Sequence, residues 1–181
     1  MIFWEPFEHD GIVYDLSHLH PTQIELIQPG IGGNPERCFA IQVIFSLHCF
    51  TRSLKGSEAS EIEHLIYRDR REDRVFDFGR YELSKRLPEI VKAIDRRACF
   101  HSGKGNFFLI ELLTSEGQRQ EYEVYFEASR SGKRGGLINL YVQSAYVRDA
   151  SHKSSQPKKK KIGLFVILHN IQNNKPIRAP K

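Results

Sequence analysis

The stretch CFAIQVIFSLHCF, residues 38–50, decides the fold class of this chain. Its apolar side chains recur at every second position, while Gln42, Ser46 and His48 share the other face. This period is typical of a half-buried β-strand, because successive side chains of a strand point to opposite faces. At about 3.3 Å per residue the strand could span about 40 Å, so we expect a bend or bulge along it. The apolar positions are Phe39, Ile41, Val43, Phe45, Leu47 and Cys49.

The C-terminal half shows the same alternation. Tyr122, Val124 and Phe126 share one face of a predicted strand, and glutamates occupy most of the other face. Such alternation is typical of an antiparallel sheet with one packed face and one face open to solvent. The short connectors GQRQ and SGKRGG suit hairpins between these strands. The predicted strands of this half are 106–113, 121–128, 137–147 and 162–169.

One helix precedes these strands. Leu83, Leu87 and Ile90 begin an apolar stripe at helical spacing, and Pro88 requires the helix either to begin there or to kink. The sequence therefore predicts an α+β fold, in which a mostly antiparallel sheet of roughly eight strands packs against one main amphipathic helix at about residues 83–97. With 181 residues the chain is expected to form a single domain over residues 1–181.

The predicted connections are polar. Residues 12–28 read as two short extended pieces that Pro21 separates, and residues 53–63 read as a polar loop. The charged tip RDRREDR lies between two β-like pieces, His64–Tyr67 and Val75–Phe78, which predicts a hairpin. Residues 150–160, ASHKSSQPKKK, are predicted to form a mobile basic loop.

Sequence composition restricts the cellular location that we expect for this protein. No apolar run reaches the roughly 18 residues that a membrane-spanning helix needs, so no membrane partner is expected. The acidic N-terminus lacks the basic region of a secretory signal. Three cysteines, an odd number at scattered positions, do not make a disulfide framework. A reducing cytoplasm is therefore the expected location.

The positive charge is local. The net charge is +5, yet residues 150–181 alone carry eight basic and no acidic side chains, so the rest of the chain has a net charge of −3. Local basic patches can release counterions from a nucleic-acid backbone, and solvated loop charges are the alternative interpretation. We therefore expect an RNA or DNA partner at these patches. The candidate nucleic-acid-binding residues are Arg68, Arg70, Arg71, Lys104, Lys133, Arg134, Lys158, Lys159, Lys160 and Lys161.

A second hypothesis is catalysis. The loop His101–Ser–Gly–Lys104–Gly brings an imidazole close to a lysine between two glycines, which suits an anion and a general acid or base. The alternative is a hairpin turn whose glycines supply positive φ. A metal-independent ribonuclease needs an acid, a base and cations, and the candidate catalytic residues are His101, Glu127, Arg130 and Tyr146.

Metal and cofactor chemistry have little support. His18, His20 and His48 could gather three imidazoles if their strands were neighbours, whereas partly exposed histidines at strand ends are the simpler interpretation. The chain has no P-loop and no dinucleotide fingerprint, so no cofactor is predicted. A protein partner is a third hypothesis, in which the wet sheet face presents Tyr125 and Tyr141.

Two resemblances accompany these patterns. The stretches YDLSHLHP (14–21), FSLHCFTR (45–52) and LYVQSAYVRD (140–149) resemble a family of small, poorly characterised bacterial proteins labelled stationary-phase growth adaptation or heat-shock proteins. That resemblance implies a bacterial cytoplasmic protein and brings no catalytic residues. The order of elements over 83–169, a helix followed by antiparallel strands, resembles the core of the RelE and barnase-like toxin ribonucleases, which implies RNA as substrate.

Overall fold

The computed structural model describes residues 3–56, 62–115, 118–132, 136–148 and 155–180, and it has the predicted α+β fold. No helix in these ranges is long and apolar enough to cross a membrane. The helices are α1 (Phe78–Ser84), α2 (Leu87–Lys92) and α3 (Leu164–Gln172). The strands are β1 (Phe7–His9), β2 (Ile12–Tyr14), β3 (Thr22–Gln28), β4 (Arg37–Phe45), β5 (Thr51–Arg52), β6 (Ile66–Arg68), β7 (Asp73–Phe76), β8 (Cys99–His101), β9 (Phe107–Ser115), β10 (Gln118–Arg130), β11 (Ile138–Val147) and β12 (Lys160–Ile162).

Seven strands form the large sheet, in the order β12-β8-β9-β10-β11-β4-β3. All neighbours are antiparallel except β11 and β4, which run parallel. A second sheet has the order β5-β7-β6, and β1 pairs with β2 in a separate hairpin. The predicted hairpin around RDRREDR is confirmed, because β6 and β7 are antiparallel on either side of it.

The inner face of the large sheet carries the core. The side chains of Phe39, Ile41 and Val43 are completely buried, as their alternation predicts. The predicted bend occurs at Ser46, whose Oγ accepts a hydrogen bond from the His48 N–H and caps a short 3-10 turn at Leu47–Cys49. Helices α2 and α3 contribute apolar side chains to the same core.

The main helical region spans Phe78–Lys92 instead of residues 83–97. The Asp77 carboxylate accepts a hydrogen bond from the Arg80 N–H and begins α1 five residues earlier than predicted. Pro88 takes the second position of α2, where its missing N–H costs nothing, so the chain forms two helices instead of one kinked helix. Residues Ile94–Arg96 form a separate 3-10 turn.

The prediction of a strand at 162–169 is wrong. The strand β12 ends at Ile162, and α3 begins at Leu164. The run GLFVILHN is apolar throughout, and such a run has no period that separates a strand from a helix. In the structure Ile167 and Leu168 are buried while Val166 is 53% exposed, which is the pattern of a helix with one packed face.

The prediction that the outer face of β10 is open to solvent is also wrong at the centre of the strand, where the side chains are buried. The Glu123 side chain is completely buried, and Tyr125 is 8% exposed. Between β11 and β12 the chain passes from the middle of the sheet to its edge, and its described part bonds to β10 on the way. Gln156 donates hydrogen bonds of 2.8 Å to Glu121 and Glu123, and Lys159 pairs with Glu121 at 3.0 Å.

Two loop predictions fall partly outside the described residues. Residues 53–55 have no helix or strand, residues 57–61 are not described, and Glu63 begins a 3-10 turn. In the predicted basic loop residues 150–154 are not described, and its mobility stays a prediction. Residues 155–159 have no regular structure, and the loop ends where β12 begins.

An ion pair with a completely buried carboxylate lies on the outer face of the large sheet. Arg148 donates to both Glu123 carboxylate oxygens, at 2.9 and 2.8 Å, and the Tyr125 hydroxyl donates to Glu123 at 2.7 Å. Burial alone would raise the pKa of Glu123, but the hydrogen bonds from Arg148, Tyr125 and Gln156 outweigh it and lower the pKa.

We expect Arg148→Met to lower the free energy of unfolding by about 3 kcal/mol at pH 7, because it leaves a buried carboxylate without its cation. The stabilisation from Glu123 exists above the ordinary glutamate pKa of about 4.3 and is lost as the pH falls through its lowered value. Without Arg148 the buried Glu123 carboxyl takes up a proton more readily than in the wild type, so the loss caused by the substitution should be smaller at pH 4 than at pH 7. Urea titrations at pH 7 and at pH 4 measure the free energy of unfolding of the variant and of the wild type. Lys92→Met, which breaks an exposed pair with Glu89, is the control and should cost under about 0.5 kcal/mol. An equal cost for both variants would contradict the account.

Candidate nucleic-acid interface

One end of the large sheet collects basic side chains from four separate parts of the chain. The turn between β8 and β9 carries Lys104, and β10 ends at that same end of the sheet with Arg130. Because β12 pairs Lys160 with His101, the start of β12 lies beside this turn. The parallel pairing of β4 with β11 brings the start of β4 there as well. We call this set the basic rim, and it consists of Arg37, Lys104, Arg130, Lys158 and Lys160.

The cations of the basic rim are exposed, and within the described part of the chain no carboxylate pairs with them. All five side chains are exposed, and none makes an ion pair with another described residue. Arg37 bonds instead to the ring of His169, with 2.6 Å between its Nη1 and Nδ1. An exposed guanidinium or ammonium without an internal partner is available to an external anion.

Hydrogen bonds hold the turn that carries Lys104. The Gly103 N–H donates to the His101 Nδ1 at 2.9 Å, and the Lys104 N–H donates to the Ser102 Oγ at 3.1 Å. Gly103 and Gly105 both have φ of +87°, which other residues rarely adopt, so the hairpin interpretation of this loop is confirmed. Asn106 then links the turn to the sheet through a 2.6 Å hydrogen bond to Gln143.

Three carboxylates lie beside residues of the basic rim: Glu25, Glu36 and Glu127. Glu25 accepts a 2.6 Å hydrogen bond from the Sγ of Cys38, the residue after Arg37. Glu36 is adjacent to Arg37 in the chain and is exposed. Glu127 lies on the outer face of β10, where it accepts a hydrogen bond from the Gln143 side chain. Three carboxylates next to five cations leave the rim with a net positive charge.

The candidate catalytic residues do not form one site. His101 lies on the inner face, is 6% exposed and contacts the Phe107 ring edge-on at 5.4 Å. Glu127 and Tyr146 lie on the outer face, and Tyr146 stacks on Tyr125 at 5.8 Å. Arg130 is at the sheet end, in the basic rim. The sheet therefore separates His101 from Glu127 and Tyr146, because side chains on opposite faces cannot meet across it.

The arginine patch is a second, separate location. Arg68, Arg70 and Arg71 belong to the β6–β7 hairpin of the small sheet. Arg68 pairs with Glu63 and with Asp73, and Arg71 pairs with Asp69 at 3.0 Å. These carboxylates partly neutralise the two arginine charges. Arg70 is exposed and has no described partner.

The remaining basic candidates divide into three groups. Lys133 and Arg134 lie outside the described residues. Lys159 is paired with Glu121, and hydrogen bonds from Gln156 and from Lys159 lower the pKa of that glutamate. Lys161 is exposed on the edge strand, opposite Phe100. Arg37 was missed by the sequence analysis, because only the parallel pairing with β11 brings it to this end of the sheet.

The three histidines predicted as candidate metal ligands lie apart, and each has a different hydrogen-bond partner. His18 lies 2.8 Å from the Ser84 Oγ, His20 lies 3.0 Å from the Trp4 carbonyl oxygen, and His48 pairs with Glu72 at 2.8 Å. Burial lowers the pKa of His18. The hypothesis fails because these residues do not lie on neighbouring strands. Among the described residues no group of three metal-ligating side chains is present.

Comparison with known proteins gives a family. Residues 6–172 match the model of the YjaZ family. The chain is 32% identical over 179 residues to the Escherichia coli protein named Protein YjaZ, which covers 98% of this chain and 95% of that protein. No solved structure matches the chain. The resemblance to a poorly characterised bacterial family is confirmed at this level, and its stress label and the similarity to toxin ribonucleases stay predictions.

The separation of the catalytic candidates makes a direct prediction. We expect purified protein to leave RNA intact in buffer with a chelator, and we expect His101→Ala to change only stability, by about 1–2 kcal/mol, through lost packing. Gel analysis of a labelled RNA and a urea titration of the variant measure the two effects. Cleavage that disappears in His101→Ala but persists in a Lys85→Met control would contradict the account.

Proposed function

The chain belongs to the YjaZ family, and we propose that it is a nucleic-acid-binding protein whose basic rim contacts the phosphate backbone. The role is binding or regulation, without cleavage of the bound strand. The bacterial cytoplasm is its proposed location. Cys38, Cys49 and Cys99 are all free thiols, which suits a reducing compartment.

The single observation that carries this proposal is the set of exposed cations at one end of the large sheet that make no ion pair with another described residue. The basic rim runs from β12 to β4 across six neighbouring strands. At about 4.8 Å between strands these six strands are about 24 Å across, and the pairing registers stagger the cations along the strand direction as well. Five exposed cations spread over such a distance match the repeated charges of a nucleic-acid backbone better than they match a small anion.

The binding energy would come mainly from counterion release. Each phosphate that a lysine or arginine neutralises releases condensed cations into solution, so the observed affinity falls as salt rises. Contacts of this type position a strand without reading its sequence. The basic rim offers no exposed aromatic side chain for base stacking, so we expect little sequence preference.

Binding is a better proposal than cleavage for a geometric reason. A metal-independent ribonuclease would need an acid and a base about one phosphate apart. His101 is buried on the inner face, whereas Glu127 and Tyr146 lie on the outer face. Lys104 and Arg130 remain together at the sheet end, and they can hold a phosphate without any of these three residues.

Neutralising the basic rim should weaken binding in a salt-dependent way. We expect Lys104→Gln with Arg130→Gln to reduce affinity for a labelled single-stranded oligonucleotide about tenfold at low salt. The slope of log affinity against log salt should fall by about 1.4, because each lost phosphate contact removes about 0.7 on a single strand. Fluorescence anisotropy between low and moderate salt measures both quantities.

The matched control changes the same net charge elsewhere. Lys85→Gln with Lys92→Gln removes two exposed lysines from α1 and α2, where each pairs with a glutamate one helical turn away. This control should leave both affinity and slope unchanged. Equal losses in the two double variants would show a non-specific charge effect and would overturn the proposal, as would an affinity of the wild type that does not depend on salt.

A further inference from the structure

A cleft of about 860 Å³ opens beside the small sheet, and none of the five residues of the basic rim lines it. Its lining consists of two continuous runs of chain, residues 3–7 on one side and residues 66–71 on the other. The second run contains β6 and the hairpin turn that follows it. Because consecutive residues of β6 all contribute, the edge of the strand borders the cleft, and not only one of its faces.

β6 is an edge strand with unused main-chain groups. In the sheet order β5-β7-β6 it has a partner on one side only. The Asp69 N–H donates to the Glu72 carbonyl oxygen at 3.3 Å, which makes residues 69 and 72 a hydrogen-bonded pair. In an antiparallel ladder such pairs alternate with pairs that point outward. Arg68, which lies opposite Asp73, therefore directs its N–H and its carbonyl oxygen toward the free edge.

A side chain of β6 fixes the opposite wall of the cleft. The Tyr67 hydroxyl donates a 2.9 Å hydrogen bond to the Glu5 carbonyl oxygen, and Trp4 is buried against Phe50 and Tyr67. Burial raises the pKa of Tyr67 to about 12, so its hydroxyl remains protonated and keeps donating. Phe3, at the entrance, is 57% exposed and offers an apolar surface to an occupant.

The charge of the cleft favours an acidic occupant. Three arginines and two carboxylates line it, and Arg70 is the arginine without a described partner. The pair of Arg68 with Glu63 is exposed on both sides and therefore weak in water, so the Arg68 guanidinium can turn to a new carboxylate at little cost. Arg71 is held more firmly, by Asp69, which is 19% exposed, and by a hydrogen bond with Tyr141. Arginine is also well suited to bidentate contact with carboxylates.

We infer that this cleft binds an acidic peptide segment of a partner protein in extended conformation, as an additional strand on β6. Main-chain hydrogen bonds to the free edge would supply the register, and the arginines would select acidic side chains. A nucleic acid offers no alternating N–H and C=O groups, so the edge of β6 favours a peptide. This site is independent of the basic rim, and either proposal can fail without the other.

A peptide of alternating glutamate and valine, about six residues long with blocked ends, tests the inference on the full chain labelled with nitrogen-15. We expect its addition at millimolar concentration to shift the amide resonances of residues 66–71 and 3–7. Arg70→Gln should weaken binding about fivefold, because it removes a cation that faces the peptide. Lys85→Gln is the matched control and should bind like the wild type.

Methylated peptides test the hydrogen bonds themselves. In a peptide strand added to the free edge of β6, the residue directly opposite Arg68 has its side chain on the same face as Arg68. We expect a glutamate at that position, with its main-chain N–H donating to the Arg68 carbonyl oxygen. Methylation of the glutamate nitrogens should therefore weaken binding about tenfold, while methylation of the valine nitrogens should leave it unchanged. Four results would overturn the inference: no shifts at residues 66–71, equal binding of a lysine–valine peptide, equal binding of the two methylated peptides, or shifts of these amides by a single-stranded oligonucleotide.

Discussion

The register of the large sheet determines which side chains of this protein can meet. His101 pairs with Phe107, and Phe107 pairs with Phe126, so all three lie in one row on the inner face. Glu127 is the next residue of β10 and therefore lies on the outer face. A slip of one residue would exchange the two faces. The same register brings the turn at Lys104 and the end of β10 together, which makes the basic rim a consequence of strand pairing.

The segment before β12 links the fold to the proposed interface. Its Gln156 and Lys159 side chains bond to β10, and they hold the segment against the outer face. Lys158 and Lys160 flank Lys159 and stay exposed, with no ion pair to another described residue. One lysine of the run therefore fixes the position of its neighbours, although the run looks uniform in the sequence.

Local patterns predicted much of the fold, and non-local contacts account for what they missed. The period of β4 and β10 identified both strands and their packed faces, because that signal needs only neighbouring residues. The apolar run that forms α3 has no period to read, so its helix was missed. Burial of Glu123 depends on Arg148 and on a segment more than thirty residues later. Arg37 joins the basic rim only through the pairing of β4 with β11, and no pattern of neighbouring residues in the sequence specifies that pairing.

The central claim is that nucleic acid contacts the sheet end that carries Lys104 and Arg130. Photo-crosslinking of a single-stranded RNA containing 4-thiouridine, followed by mass spectrometry of the crosslinked peptides, tests it most directly. The account predicts crosslinks in the segments around residues 104, 130 and 158–161. Crosslinks confined to the hairpin at residues 68–71, or to the exposed surface of α1 and α2, would contradict it.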